Sequence, residues 1–174
     1  DGNLVRAFAE LEQAGRLELI TTTATHAFFP LLAGNRAAMR AQVHVAADLF
    51  ERHFGHRPPG MWLGECGYVP GADELLAEAG IRYFFVDRHG IENADRRPLY
   101  GVFAPLYCPS GVAVFGRDPE SSAQVWSAEE GYPGDPHYRD FYRDIGFDLP
   151  LDIIGRYVHP EGHRLYTGFK YHAV

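Results

Sequence analysis

The sequence is poor in cysteine and has no long apolar run. Only Cys66 and Cys108 occur in 174 residues, too few for a disulfide framework and without metal-ligand spacing. Two free thiols fit a reducing compartment, so we predict a cytoplasmic protein. No run approaches the roughly 18 consecutive apolar residues of a membrane helix, and no secretory signal pattern opens the chain.

Clustered positive charge is also missing. Sixteen basic and 23 acidic side chains give a formal net charge of -7, and no basic run interrupts this balance. A nucleic-acid backbone is therefore a poor partner, and neither nucleic acid nor a membrane is expected to bind. A hydrophobic content of 46% is enough to bury the core of about one domain.

Helix and strand patterns alternate through the first half of the chain. The predicted helices cover 4–14, 35–55 and 72–79, and the predicted strands cover 17–23, 61–63 and 83–86. Polar residues follow each strand directly. One buried strand per helix favours an α/β fold with a parallel sheet or barrel, whose chemistry lies at the carboxyl ends of the strands.

After residue 90 the pattern is less regular. Prolines among aromatics indicate an irregular excursion with a small hairpin. Further on, the residues predict a strand over 112–115, a helix over 118–126, a loop over 131–136, a helix over 137–144, and one or two strands near the turn at 161–162. No linker separates two domains.

Glu65 is the first candidate for chemistry. It follows the strand at 61–63 between two glycines, and barrel active sites form at such carboxyl ends. Trp62 and Tyr68 lie nearby; aromatic rings stack on sugar faces, and a carboxylate can attack an anomeric carbon. The alternative for Glu65 is an ordinary solvated loop acid.

Three more side chains follow predicted strands: His26, Asp87 and His89. They offer imidazole and carboxylate groups, so a metal-dependent hydrolase is the chief rival interpretation. Their spacing matches no compact metal motif. His26 alone could bind a substrate hydroxyl, ligate a metal or serve the fold.

Arg117, Trp126 and Gly134 are the candidates later in the chain. An arginine fork suits vicinal hydroxyls, and tryptophan supplies a stacking surface. A surface ion pair for Arg117 and core packing for Trp126 remain open on the residues alone.

These candidates lie in motifs that resemble glycoside hydrolase family 57. The nucleophile motif of that family is similar to the run Gly60-Met61-Trp62-Leu63-Gly64-Glu65-Cys66-Gly67-Tyr68. An earlier family motif resembles Thr25-His26 with Pro30-Leu31-Leu32. Further segments are similar to the branching-enzyme branch of the family. They are residues 116–118, 124–127, 131–135, 141–144 and 167–171. The resemblance covers nearly the whole chain and is far more specific than a lone glutamate.

The resemblance implies an incomplete, TIM-like (β/α)7 barrel and a 1,4-alpha-glucan branching activity that retains anomeric configuration. Glu65 would cleave an α-1,4 bond and hold the donor chain as a glycosyl ester. A second carboxylate, about 5 to 5.5 Å away, would protonate the leaving oxygen and then deprotonate a 6-hydroxyl, which makes an α-1,6 branch. The implied partner is an alpha-glucan such as amylose or glycogen, with no metal or other cofactor.

The same resemblance implies substrate-binding roles for five residues: His26, Trp62, Arg117, Trp126 and Gly134. The family's opening His-x-His motif is absent, and so is its acid/base aspartate, a role that no motif gives to Asp144 or Asp152. We therefore expect residues 1–174 to be part of a single catalytic barrel that lacks its first strand and its C-terminal portion. Glycine at position 64, where many members carry another residue, is expected to be a mild change.

Other functions remain as alternatives. A 4-α-glucanotransferase or α-amylase of the family would use the same nucleophile with a 4-hydroxyl or water as acceptor, and the stretch 124–135 favours branching. A metal-dependent hydrolase would lose activity on chelation. A non-catalytic glucan-binding domain would be indifferent to loss of the Glu65 carboxylate.

We predict that the isolated chain does not catalyse branching, because it lacks the acid/base carboxylate. Amylose incubated with the purified chain should gain no α-1,6 linkages, and the Glu65→Gln variant should behave in the same way. Turnover by the isolated chain that disappears in Glu65→Gln would refute this prediction.

Overall fold

The computed structural model of the chain describes residues 2–96, 98–127, 129–131, 135 and 144–168. They fall into two compact units, Asp1–Asp118 and Pro119–Val174, although the sequence predicts no linker. Within these described ranges, no helix has the length and apolarity needed to cross a membrane.

Eight α-helices occur in the described residues. The first unit holds α1 (Leu4–Gln13), α2 (Phe29–Leu32), α3 (Arg36–Phe54), α4 (Ala72–Glu78) and α5 (Arg88–Glu92). The second unit holds α6 (Pro119–Trp126), α7 (Ile145–Asp148) and α8 (Leu151–Val158). Single 3-10 turns span Gly64–Cys66 and Gly101–Phe103.

Five strands form one sheet in the first unit. They are β1 (Thr21–Thr22), β2 (Gly60–Trp62), β3 (Tyr83–Val86), β4 (Leu106–Tyr107) and β5 (Ala113–Gly116). Their order is β1-β2-β3-β5-β4; the first four are parallel neighbours, and β4 pairs antiparallel with β5. The described sheet is not closed, and its mostly parallel α/β architecture agrees with the predicted fold class.

The core of the first unit contains one face of the sheet and the apolar sides of α3 and α4. Side chains alternate along a strand, so Met61, Phe84 and Val114 share this face. All three are buried. Packed in the same cluster are buried residues of the two helices: Met39, Val43, Ala46, Ala47, Leu75 and Leu76. The other face carries the larger aromatic residues of the strands.

Two short helices occupy segments for which the sequence predicts no helix. Helix α2 begins at Phe29 with Pro30 in its first turn, where the missing N–H of proline leaves no bond unmade. Helix α5 follows β3 directly. The excursion after residue 90 supplies only β4, which pairs antiparallel with β5, the strand that the sequence predicts over 112–115.

The prediction of one or two strands near the turn at 161–162 is wrong for the described residues of the tail, 144–168, which contain no strand. Helices α7 and α8 lie there instead, and Leu151, Ile154 and Val158 recur at the three- and four-residue spacing of a helix. The predicted turn at 161–162 is present. The predicted helix over 137–144 lies almost wholly outside the described residues.

The turns after β1 and β2 pack against each other. A Cβ atom at Gly64 would lie 2.6 Å from the backbone oxygen of Ala27 and 2.9 Å from that of His26. Such contacts are too short for any side chain. Glycine at this position is therefore a packing requirement in this chain, although the sequence comparison with the family suggests only a mild change.

A buried carboxylate organises the second unit. Asp144 is only 1% exposed and accepts hydrogen bonds of 2.8–3.1 Å from the backbone N–H groups of Gly146, Thr167 and Gly168 and from the Thr167 hydroxyl. Burial raises the pKa of the Asp144 carboxyl, but these hydrogen bonds outweigh burial and bring the pKa down to about 2.

We predict that the Thr167 segment loosens in acid. The folded pKa of Asp144 lies below its ordinary value of 3.8, so its stabilisation is fully present above that value and is lost as the pH falls through about 2. Hydrogen-exchange protection of the Thr167 and Gly168 amides, relative to an unstructured peptide, should fall over this range. Asp144→Asn should weaken protection at neutral pH, whereas Asp152→Asn, at an exposed position, should not. Protection that is unchanged by Asp144→Asn would contradict the role of this carboxylate.

A second prediction concerns the contact between the turns. Gly64→Ala should lower the free energy of unfolding by about 1–3 kcal/mol, because the Ala27 carbonyl must move. Gly34→Ala is the matched control, since a Cβ there meets no atom within 4 Å. Chemical denaturation would compare the two. Equal denaturation midpoints for Gly64→Ala and Gly34→Ala would contradict the prediction, because they would mean that the turns after β1 and β2 can move apart at no cost in stability.

Candidate active site

The carboxyl edge of the parallel sheet gathers four polar side chains. His26 follows β1, Glu65 follows β2, Asp87 follows β3 and Arg117 follows β5. The four strands are neighbours in that order, so one residue from each reaches the same edge. This edge is where parallel α/β folds place their active sites.

Glu65 occupies a constrained turn. Its backbone is left-handed, with φ 46° and ψ 35°, and that of Cys66 is also left-handed, with φ 57°. A backbone with such angles is strained at any residue other than glycine, and surrounding contacts must hold it there. Backbone hydrogen bonds from Cys66 to Leu63 and from Gly67 to Gly64, at 3.0 and 2.9 Å, close the turn. The Glu65 side chain is 78% exposed, so the turn presents its carboxylate to the space above the sheet edge.

His26 faces Glu65 through a defined ring nitrogen. The Thr22 hydroxyl donates to the Trp62 carbonyl at 2.9 Å and lies 2.9 Å from Nδ1 of His26. A hydroxyl has only one proton to donate, so it accepts from Nδ1–H, and this defines the proton position on Nδ1. Nε2 then points to Glu65, with 3.9 Å between Nε2 and Oε1. That separation is too long for a direct hydrogen bond and leaves Nε2 able to contact a substrate hydroxyl.

Aromatic rings line the sheet face below this edge. Trp62 lies 5.8 Å from Phe85 between ring centroids, and Phe85 lies 6.0 Å from Phe115. Tyr83 makes edge contacts with both phenylalanines at 5.7 Å. These residues alternate with the core residues of their strands and form an apolar wall of the kind on which sugar rings stack.

Arg117 is held against this wall. Its guanidinium donates to the Asp87 carboxylate at 3.1 Å and lies 5.8 Å from the centre of the Trp62 ring. The first contact joins the ends of β3 and β5, and the second is a cation–π contact. A guanidinium group oriented in this way is a type of group suited to sugar hydroxyls.

The residues immediately after Glu65 serve the fold. The Tyr68 ring stacks on Phe84 at 5.4 Å and its hydroxyl donates to Asp73 at 3.0 Å. Tyr68 is therefore a core residue here, not the sugar-stacking ring that the sequence suggests. Burial, with the nearby Asp87 charge, raises the pKa of the Cys66 thiol, and Arg117 opposes this only in part. The thiol is therefore kept in its neutral form.

Two predicted site residues belong to the second unit. Trp126 ends α6 in the second unit, with 76% of its surface exposed. Gly134 lies outside the described residues. Their substrate-binding roles stay predictions. Thr22 is the contributor that the sequence reasoning missed, and its place four residues before His26 at a strand end was the available signal.

The rival metal site is not assembled. Within the part of the chain that the structure describes, no group of ligand atoms close enough for one metal ion includes His26, Asp87 or His89. His89 is exposed on α5, and Asp87 pairs with Arg117. The sheet edge instead combines a carboxylate, an imidazole, an arginine and aromatic rings, a set suited to carbohydrate chemistry.

Comparison with known proteins assigns the chain to a family. The family model described as Glycosyl hydrolase family 57 matches residues 1–145. The 1,4-alpha-glucan branching enzyme TK1436 of Thermococcus kodakarensis is 37% identical over 82% of this chain and 25% of its own length. Its crystal structure in complex with glucose has a TM-score of 0.73 at 32% identity, covering 99% of this chain and 35% of that one.

Two further relatives extend the comparison. A probable 1,4-alpha-glucan branching enzyme of Mycobacterium tuberculosis is 36% identical over 87% of this chain and 28% of its own length. The structure of the alpha-amylase AmyC from Thermotoga maritima has a TM-score of 0.84 at 50% identity, covering 99% of this chain and 33% of that one. The chain thus spans between a quarter and about a third of these relatives.

These matches confirm the fold expected from the sequence, an incomplete (β/α)7 barrel, for which the unclosed sheet supplies adjoining strands. The chain belongs to glycosyl hydrolase family 57.

Proposed function

We propose that the protein containing this chain is a retaining 1,4-alpha-glucan branching enzyme with Glu65 as its nucleophile. The carrying observation is the exposed Glu65 carboxylate, held by a constrained turn at the carboxyl end of β2 and facing Nε2 of His26. Relatives named as branching enzymes at 36–37% identity support the specific activity.

In the proposed reaction, Glu65 attacks the anomeric carbon of a donor glucan. The α-1,4 bond breaks, an ester joins the segment on the non-reducing side of that bond to the carboxylate, and the rest of the donor leaves with the 4-oxygen. A second carboxylate, proposed to come from a part of the protein outside this chain, protonates the leaving oxygen. It then takes the proton of an acceptor 6-hydroxyl, whose oxygen displaces Glu65 and forms the α-1,6 branch.

The substrate class is an alpha-glucan such as amylose or glycogen. The ring face of Trp62 suits stacking on a glucosyl unit, while Arg117 and His26 offer N–H and nitrogen contacts to hydroxyls. The glucose complex of the T. kodakarensis relative supports a sugar ligand. We propose the same role for Trp126 and Gly134 in the remainder of the groove, on the strength of the motif resemblance.

The proposed chemistry is carried out by carboxylates and needs no metal or organic cofactor. We further propose a place in glycogen or starch metabolism and a cytoplasmic location. The free thiols of Cys66 and Cys108 suit a reducing compartment.

Hydrolysis by an alpha-amylase is the second candidate. It is favoured by one specific observation, the 50% identity with AmyC. Both reactions share the glycosyl ester on Glu65 and differ in whether water or a 6-hydroxyl reaches it. Since the same nucleophile serves both reactions, products decide between them.

The test is product analysis with the whole protein and amylose. Proton NMR of the products and a reducing-end assay measure α-1,6 linkages and hydrolysis separately. Branching predicts new α-1,6 signals without new reducing ends, because one bond forms for each bond broken. A rise in reducing ends alone would assign the amylase activity, and chain redistribution without branches would assign a glucanotransferase.

We predict that Glu65→Gln lowers either activity by at least roughly 1,000-fold, because the amide cannot form the ester. Glu74→Gln is the matched control and should keep activity. Glu74 is an exposed residue of α4 whose carboxylate pairs with Arg36 of α3. An active Glu65→Gln enzyme would exclude Glu65 as the nucleophile. Loss of activity on chelation would favour the metal-dependent hydrolase.

A further inference from the structure

A second cluster of ligand-forming side chains lies in the second unit, directly after α8. It consists of His159, Glu161 and His163 in the run His159-Pro160-Glu161-Gly162-His163. One ligand atom from each residue lies within 4.8 Å of the others. Two imidazoles and one carboxylate are a donor set used by zinc and related divalent ions.

The spacing within the cluster is close to that of a metal site. Nε2 of His163 and Oε2 of Glu161 are 3.3 Å apart. Two donors on one tetrahedral zinc ion, each about 2.0–2.1 Å from the metal, lie about 3.3 Å from each other. The His159 and His163 rings are 5.2 Å apart between centroids, so His159 needs a small movement to join them.

A tight turn brings the three residues together. The Gly162 N–H donates to the His159 carbonyl at 3.0 Å, and Gly162 has a φ of 73°, which glycine adopts without strain. The Glu161 N–H donates to Nδ1 of His159 at 3.2 Å. A metal ion at Nδ1 would replace this hydrogen bond, and one at Nε2 would replace the proton that the neutral ring then carries there. The chain therefore folds back on itself without a metal, which lowers the cost of ordering the ligands.

Both ends of the turn are anchored. His159 ends α8, and its N–H donates to the Gly155 carbonyl at 3.0 Å. Arg164, next to His163, donates to three backbone carbonyls at the end of α7, those of Gly146, Phe147 and Leu149, at 2.9–3.0 Å. An ion bound between His159 and His163 would thus join the end of α8 to the segment held against α7.

We propose that His159, Glu161 and His163 form a surface site for a borderline divalent transition metal of the Zn²⁺ class. The site is separate from the proposed glucan chemistry and acts on the fold of the second unit. Three protein ligands leave one coordination position for water. Two of the three ligands are exposed, at 68% for the His163 side chain and 76% for that of Glu161, whereas His159 is half-buried, so the ion exchanges with solvent from the exposed side.

The test is isothermal titration of the full chain with Zn²⁺ at neutral pH. We expect one saturable site, weakened at least tenfold in His163→Gln and in Glu161→Gln. His53→Gln, a change at an exposed histidine of α3, is the matched control and should bind as the unmodified chain does. Circular dichroism checks that each variant is folded.

A second measurement follows the fold directly. Zn²⁺ should raise the hydrogen-exchange protection of Gly162 and His163 amides in the unmodified chain and in His53→Gln, but not in His163→Gln. No saturable binding, or equal binding by His163→Gln and Glu161→Gln, would overturn the proposal. Neither outcome bears on Glu65, whose role is tested by glucan products.

Discussion

Parallel pairing of β2 with both of its neighbours is the constraint on which the rest of the first unit depends. Met61 pairs with Thr21 on one side and with Phe84 on the other, so β1 and β2 end level with each other and β3 ends one residue beyond them. Every residue that follows a strand then enters the same space. The alternation of side chains along the same strands separates the core from the aromatic wall. Catalytic candidates and hydrophobic core are thus two results of one hydrogen-bonding pattern.

The position of the proposed nucleophile depends on backbone more than on side chains. The left-handed turn at Glu65 directs the carboxylate outward, and the absent side chain at Gly64 lets this turn touch the one that carries His26. Thr22 completes the arrangement, since its hydroxyl links β1 to the Trp62 carbonyl on β2 and orients the imidazole. Rigid support of this kind keeps reacting groups in place without direct bonds between them.

Most strands and helices of the first unit, and the sheet edge that holds the candidate site, could be predicted from the sequence. The same physical reasons explain which features could not. Long α3 and the buried strand β3 have strong periodic or apolar signals, and polar residues directly after strands must lie at one edge of a parallel sheet. The hydrogen bond from the Thr22 hydroxyl to the Trp62 carbonyl depends on register between strands far apart in sequence, which no local pattern encodes. The left-handed backbone of Glu65 is invisible because it is not at a glycine. Short apolar stretches such as 151–158 suit a strand or a helix, and here packing of Ile154 favours the helix.

The two-residue length of the strands at both edges of the described sheet has a consequence for solubility. β1 and β4 bound the sheet, and each offers only two residues for pairing with another chain. A broad aromatic face such as that of Trp62, Phe85 and Phe115 would invite association if it ended in long, flat edges. Edges this short provide little template for cross-strand growth. The described sheet can therefore present an aromatic face with a reduced risk of aggregating through its strands.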